Sequence, residues 1–381
     1  MLKRFEVCNY KNFQNTLVMD FSNVSGYQFN TGCIYNNSFV SKGIIYGKNA
    51  VGKTNLGRAI VDVGYTTRGG IFSVRQNQNG LINANSNEKA ASFKYVFIFD
   101  KDEVTYVYKK NNKNKLLEEK LIFNDHVIYD LDFSTKAFVT DNLKLINVES
   151  QLVANYKLYL HGGNDNSDEY SDSMSFLGYL LANSAFQSES TIRKLGRFIL
   201  GMRILITSDP FRYSYFERQF KDEDLLEFQK FLAQAGIKCE LIMKTLPDGE
   251  KKIFSVHKNT LLPFFDTASS GTLALIRLYI NVLSRIKTHS FIYFDEFDAF
   301  YHYELSEHII KYLIDKCPQT QIIFTTHNTN LMNNQIMRPD SLFILSSQGK
   351  VTALCDATTR ELREGHNLEK LYIAGEFQKY E

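Results

Sequence analysis

The sequence predicts an α/β protein, and three observations carry that prediction. In the last third of the chain, short apolar strands alternate with helix-period segments, the pattern of a sheet covered by helices. The first third shows period-2 alternation broken by polar turns, which marks antiparallel strands. From residue 151 the period becomes helical. Three regions follow: an N-terminal lobe with a β-meander over 1–150, a helical insertion over 151–236 and a C-terminal α/β lobe over 237–381.

The elements read in order. Lys3–Asn9 and Thr16–Phe21 alternate apolar and polar residues around a polar turn at Asn12. Gly43–Tyr46 is a short buried strand that runs into a glycine-rich turn and a helix from near Lys53. Ser92–Phe99 and Glu103–Lys109 form a meander turned at Lys101-Asp102, and Asn111–Asn114 turns the chain into Leu116–Phe123. Helical spacing covers Ser173–Ala185, Thr191–Arg203 and Asp222–Gln234, the last closed by Gly236. Ile237–Thr245 and Lys251–His257 pair around Pro247-Asp248-Gly249. A helix from about Ser270, a strand Phe291–Phe294, a helix Glu304–Cys317 and strands Gln321–Thr325, Ser341–Leu345 and Lys350–Leu354 complete the pattern. The Asn-rich stretch Asn77–Asn87 reads as a surface loop, and neither an internal repeat nor a long heptad array is present.

Composition narrows the class. With 381 residues the chain has room for two or three domains, or one large domain with an insertion. At 44% hydrophobic and 23% charged residues, wholesale disorder is excluded. Lys+Arg number 44 against 42 Asp+Glu, so net charge neither demands nor excludes nucleic acid. Cys8, Cys33, Cys239, Cys317 and Cys355 lie far apart, which excludes a zinc ribbon and a disulfide framework and suits a reducing cytosol. No run approaches the roughly 18 apolar residues of a membrane helix, and no signal-peptide core follows Met1. The expectation is a cytoplasmic protein without a membrane partner.

Four motifs carry chemistry. Gly47-Lys48-Asn49-Ala50-Val51-Gly52-Lys53-Thr54 fits G-x4-G-K-[ST], follows a predicted strand and opens a helix. Its glycines let consecutive N–H groups face one anion, and the helix start adds positive potential. Lys53 would reach the β- and γ-phosphates of ATP, and Thr54 would place its hydroxyl on Mg²⁺. Phe291-Ile292-Tyr293-Phe294-Asp295-Glu296 is an apolar strand ending in two carboxylates. Asp295 would hold Mg²⁺ beside Thr54, while Glu296 would orient and deprotonate the attacking water. His327, in Thr325-Thr326-His327-Asn328, would sense the γ-phosphate from the end of the next strand. Ser269-Ser270-Gly271-Thr272 reads as a helix cap or, in this order, as a second anion site.

Taken in order, these motifs resemble the ABC-type ATPase heads, including the SMC/RecF group and the OLD-like ATPases of anti-phage systems. Phe5–Phe13 looks like their opening N-[FY]-K-x-F element, and Tyr46–Leu56 like their phosphate loop with its internal Asn49 and trailing Asn55. Arg363–Phe377 resembles the C-terminal segment of RloA/AbiLi-type abortive-infection ATPases. Two departures stand out. Thr272 replaces the Gln usual in transporters and no Leu precedes the signature, and Gln76, Gln151 and Gln187 all compete for the Q-loop position.

The resemblance implies an ABC-type P-loop ATPase head with a β-meander lobe and a helical insertion. It also implies a dimer or higher oligomer in which Ser269, Ser270 and Gly271 of one chain complete the ATP site of the other. Asp298 and His302 fall where such heads carry a D-loop, and read equally as a helix start. The implied function is an ATP-hydrolysing regulator of phage defence that controls a separately encoded effector, a nuclease among the candidates. Too few residues follow the last predicted strand for a nuclease domain, and the acid-rich Asp165–Asp172 reads as a loop. The alternative is a RecF/SMC-like DNA-repair head. Arg193, Lys194, Arg197 and Arg203 on one helix, with Lys109, Lys110, Lys113 and Lys115 at a hairpin tip, leave nucleic acid open as a partner.

Overall fold

The computed structural model describes residues 1–68, 80–162, 174–207, 213, 217, 220, 222–258, 260–283 and 288–381. Gln76, Asp165–Asp172 and the first part of the Asn-rich stretch lie outside the described residues. Two compact units emerge, each discontinuous in sequence. One comprises Met1–Leu205, Ser290–Asp295 and Pro318–Glu381, and the other Ile206–His289 and Glu296–Cys317.

The first unit begins with β1 (Leu2–Cys8), β2 (Leu17–Asp20), the two-residue β3 (Ile34–Tyr35) and β4 (Phe39–Val40), then β5 (Lys42–Tyr46) and helix α1 (Lys53–Thr67). A meander follows: β6 (Ala91–Phe99), β7 (Asp102–Lys110), β8 (Leu116–Phe123), β9 (His126–Asp132) and β10 (Phe138–Thr140). Helices α2 (Ser150–Gly162), α3 (Phe176–Asn183) and α4 (Thr191–Gly201) lead into β11 (Met202–Ile206). The meander joins the N-terminal hairpin in a seven-stranded sheet of order β10-β9-β8-β7-β6-β1-β2. All of its pairings are antiparallel.

The meander runs two strands beyond the sequence expectation. Asn124 and Asp125 are both left-handed, at φ 45° and 65°, as a tight hairpin between β8 and β9 requires. Helix α2 was likewise not expected. The expected helix Thr191–Arg203 stops at Gly201, where Met202-Arg203-Ile204-Leu205-Ile206 forms the edge strand of the second sheet instead. Its β-branched residues fit a pleated strand better than a helix turn.

That second sheet has the order β11-β15-β16-β5-β17-β18, where β15 is Phe291–Asp295, β16 Gln321–Thr326, β17 Leu342–Leu345 and β18 Val351–Ala353. The neighbours β15, β16, β5 and β17 run parallel, in register Ile322↔Lys42 and Leu342↔Ile44 around β5. Every residue of these four strands is buried, which explains the apolar run that each carries, Ile44–Tyr46, Phe291–Phe294, Ile322–Phe324 and Leu342–Leu345. Antiparallel β18 closes one edge.

Helix α1 is buried on nearly all sides because it touches both sheets. The Tyr95 hydroxyl of β6 donates to the Ala59 carbonyl at 2.7 Å. Asp62 accepts from Tyr108 at 2.6 Å and from the Lys110 ammonium at 2.7 Å, a buried ion pair. On the other side, a Cβ at Gly57 would lie 2.3 Å from the Tyr293 ring of β15, so only glycine permits this approach. Glu119, fully buried in β8, accepts from the Tyr106 and Tyr129 hydroxyls and from the Phe176 and Leu177 amides. It thereby ties the start of α3 to the meander.

The second unit contains α5 (Asp222–Gln234), the antiparallel sheet β12 (Leu241–Thr245), β13 (Lys251–His257) and β14 (Thr260–Pro263), then α6 (Ser270–Asn281) and α7 (Tyr303–Lys316). Its β14 extends the predicted hairpin to three strands. In the first unit, α8 (Leu368–Ile373) follows β18. All five cysteines are free, and no helix among the described residues is long and apolar enough to cross a membrane.

Candidate nucleotide site

Parallel strands bring their C-terminal ends to one edge, and in open α/β sheets ligands bind there. The edge formed by β15, β16 and β5 carries three of the sequence motifs. Strand β5 ends at Tyr46 and hands over to Gly47–Gly52, β15 ends at Asp295, and β16 ends at Thr326 with His327 next.

The phosphate loop takes its shape from two left-handed residues, Ala50 at φ 65° and Gly52 at φ 107°. Lys53 opens α1 and is buried. Its ammonium donates to the Gly47 carbonyl at 2.8 Å and the Lys48 carbonyl at 3.1 Å. It also lies 3.0 Å from Nε2 and 3.4 Å from Nδ1 of His327. An ammonium has no lone pair, so the His327 nitrogen that meets it acts as acceptor. The motif lysine and the strand-end histidine therefore share one place.

Thr54 follows Lys53 and its hydroxyl donates to Asp295 Oδ2 at 2.6 Å. The other carboxylate oxygen of Asp295 accepts from Thr325 Oγ1 at 2.9 Å. Asp295 is 3% exposed, so these hydroxyls fix its orientation inside the sheet edge. Tyr293, two residues earlier, donates to the Lys53 carbonyl at 2.6 Å. Burial, reinforced by the nearby Asp295 charge, keeps that phenol protonated by raising its pKa well above the ordinary range. A hydroxyl and a carboxylate at this separation form the hard oxygen donor set suited to Mg²⁺, and the left-handed loop at a helix start suits a phosphate.

Asn12 was visible in the sequence as a turn residue and as the variable position of the N-[FY]-K-x-F element, with no partner assigned to it. Its amide donates to the Val51 carbonyl at 2.7 Å, and its oxygen accepts from Asn55 Nδ2 at 2.8 Å. Lys48 and Asn49 are exposed in the loop, and Lys48 pairs with Glu381 at 2.9 Å. Burial would raise the Glu381 carboxyl, but the Tyr372 hydroxyl and Lys48 outweigh it and hold the group below its usual range.

The second unit holds the other candidates. Glu296 is exposed and left-handed at φ 49°, an uncommon conformation for a long side chain. Its carbonyl accepts from Thr207 Oγ1 at 3.0 Å and from the Ala299 amide at 3.1 Å. Ser269 caps α6, accepting from the Thr272 amide at 3.2 Å, and Ser270 and Gly271 form the first turn. A Cβ at Gly271 would stand 3.1 Å from the Phe300 carbonyl. Asp298 lies in a turn closed by Tyr301, and His302 takes the position before α7.

Gln151 donates to Asn155 within α2, and Gln187 lies in the turn before α4. Much of the basic cluster is already engaged. Lys110 is buried against Asp62, Lys109 pairs with Glu118, Lys194 with Asp100, and Arg203 donates to the Leu200 and Met202 carbonyls. Lys110 in particular is not part of a basic surface. No cluster of metal-binding side chains occurs among the described residues.

Several solved structures are similar in fold. The SMC head domain from Thermotoga maritima has 16% identity and a TM-score of 0.46, covering 92% of this chain and 98% of that one. An SmcHead bound to the C-winged helix domain of ScpA has 15% identity and a TM-score of 0.48, covering 92% and 97%. An Smc head domain with an extended coiled coil, bound to the C-terminal domain of ScpA derived from Pyrococcus furiosus, has 16% identity and a TM-score of 0.48, covering 93% and 96%. All three are remote likenesses. Among curated proteins none matches the chain in sequence. A family model described as "AAA domain, putative AbiEii toxin, Type IV TA system" matches residues 44–333, which span the phosphate loop, the acidic strand and His327. The chain belongs to this AAA-domain family of P-loop ATPases.

Proposed function

We propose that this chain binds and hydrolyses ATP with Mg²⁺ and works as the regulatory ATPase of an OLD-like, RloA/AbiLi-type phage-defence system, controlling a separately encoded effector. The observation that carries the ATPase reading is the meeting of Lys53, Thr54, Asp295 and His327 at the ends of three neighbouring parallel strands. The family description, with its toxin–antitoxin association, supports the defence reading, as does the Arg363–Phe377 segment noted in the sequence.

In this reading the Lys53 ammonium exchanges its loop carbonyls for the β- and γ-phosphate oxygens. Gly47–Asn55 surround the phosphates with backbone N–H groups, and Thr54 and Asp295 hold Mg²⁺. The metal supplies charge neutralisation at the phosphate oxygens. Glu296 takes a proton from the attacking water, and His327 donates to the γ-phosphate. Two chains assemble as a dimer or higher oligomer, with Ser269, Ser270 and Gly271 of one chain facing the nucleotide on the other.

The reading is tested in cells and in solution. A strain carrying the native operon should resist phage, and Lys53→Ala should abolish resistance while the protein remains folded. Full resistance from a Lys53→Ala chain that no longer binds ATP would remove the nucleotide from the defence role.

A further inference from the structure

We infer that Asn12 is a positioning residue that locks the phosphate loop in its anion-binding shape from outside the loop. The inference rests on the ATP reading above. The turn between β1 and β2 holds two left-handed non-glycine residues, Asn9 at φ 55° and Lys11 at φ 48°. Such strain persists only where the surroundings hold it, and here they do. Asn9 Nδ2 donates to the Glu88 and Ala90 carbonyls, the Lys11 amide donates to the Leu81 carbonyl, and Asn83 Nδ2 donates to the Lys11 carbonyl. Tyr10 and Phe13 close the turn with a pair of backbone hydrogen bonds.

What this braced turn presents to the loop is the Asn12 amide. Its donor reaches the Val51 carbonyl at 2.7 Å, and its acceptor meets Asn55 Nδ2 at 2.8 Å, so one side chain spans the loop's end and the first turn of α1. Gly52 sits between these two contacts. A Cβ there would lie 2.2 Å from the Asn12 amide nitrogen, so only a glycine at 52 lets the asparagine reach both contacts. Fixing the Val51 carbonyl through this donor also fixes the Gly52 N–H, which shares its planar peptide unit. The loop then meets a phosphate without reorganising, which is the advantage of a preorganised site. Aspartate would keep the acceptor for Asn55 but place a carboxylate against the Val51 carbonyl.

The test compares wild type, Asn12→Ala and Asn12→Asp for binding of mant-ATP with Mg²⁺, for thermal unfolding, and for hydrogen exchange in peptides covering residues 47–55. Both variants should bind about tenfold more weakly: alanine loses both modest hydrogen bonds, and aspartate exchanges the one to Val51 for a carboxylate facing a carbonyl. They should exchange faster in that loop while melting near the wild-type temperature. The near-isosteric aspartate variant reads the same effect if the alanine variant fails to fold. Wild-type affinity and loop exchange in a folded variant would overturn the inference. So would a fall in melting temperature with affinity unchanged. A wild-type chain that binds no nucleotide would instead overturn the ATP reading on which the inference rests.

Discussion

Thr54 and Asp295 lie 241 residues apart in sequence, yet the threonine hydroxyl donates to the carboxylate at 2.6 Å. The bond joins the first turn of α1 to the end of β15, and Thr325 holds the second carboxylate oxygen at 2.9 Å. Asp295→Asn keeps the size of the side chain but replaces one acceptor with a donor against these hydroxyls. We expect Mg²⁺-dependent ATP turnover to fall at least about a hundredfold, comparable to loss of a major electrostatic contact. EDTA should abolish wild-type turnover. Phosphate release measured across a Mg²⁺ titration checks both outcomes.

Stability should carry a pH signature from Glu119. Burial raises its carboxyl pKa above the ordinary 4.5, although the Leu177 and Phe176 amides and the Tyr129 and Tyr106 hydroxyls pull it down. A folded pKa above the unfolded one gives stability that is complete below about 4.5 and is lost as pH rises through the folded value. Glu119→Gln should remove that slope. It should also cost about 1–3 kcal/mol, because its amide places a donor against the Phe176 N–H. Urea unfolding at a series of pH values measures both the slope and the offset.

The proposed sites shared between two chains predict complementation between two inactive variants. Lys53→Ala removes the phosphate lysine, and Ser269→Arg removes the cap of α6 and places bulk at the signature. Loss of the cap alone should cost about 1 kcal/mol, small enough to leave the chain folded. Mixed together, the two variants should hydrolyse ATP faster than either alone, with at most one working site per mixed dimer. Dimers without any gain would remove the support for sites built from two chains.

The sequence made the strand-end edge legible because its signals are local. A glycine-rich loop between a strand and a helix, and apolar runs ending in Asp295 and His327, need no knowledge of distant partners. Asn12 was hidden because its partners, Val51 and Asn55, lie 39 and 43 residues away. Lys110 looked like a surface charge beside Lys109, and only the pairing with Asp62 on α1 shows it buried. Met202–Ile206 continued the apolar character of α4, so periodicity could not separate a helix end from an edge strand. Gly57 carried no signal at all, since its need arises from the Tyr293 ring across the sheet.

The central claim, the proposal that this chain hydrolyses ATP with Glu296 as the base, is tested most directly by Glu296→Gln. Glutamine keeps the length of the side chain and removes its basicity. Nucleotide binding and phosphate release should be measured on the same preparations of wild type and variant. Glu296→Gln should bind ATP as tightly as wild type, release phosphate at least about a hundredfold more slowly, and accumulate as an ATP-bound dimer. Phosphate release at the wild-type rate from Glu296→Gln would contradict the assignment of the base.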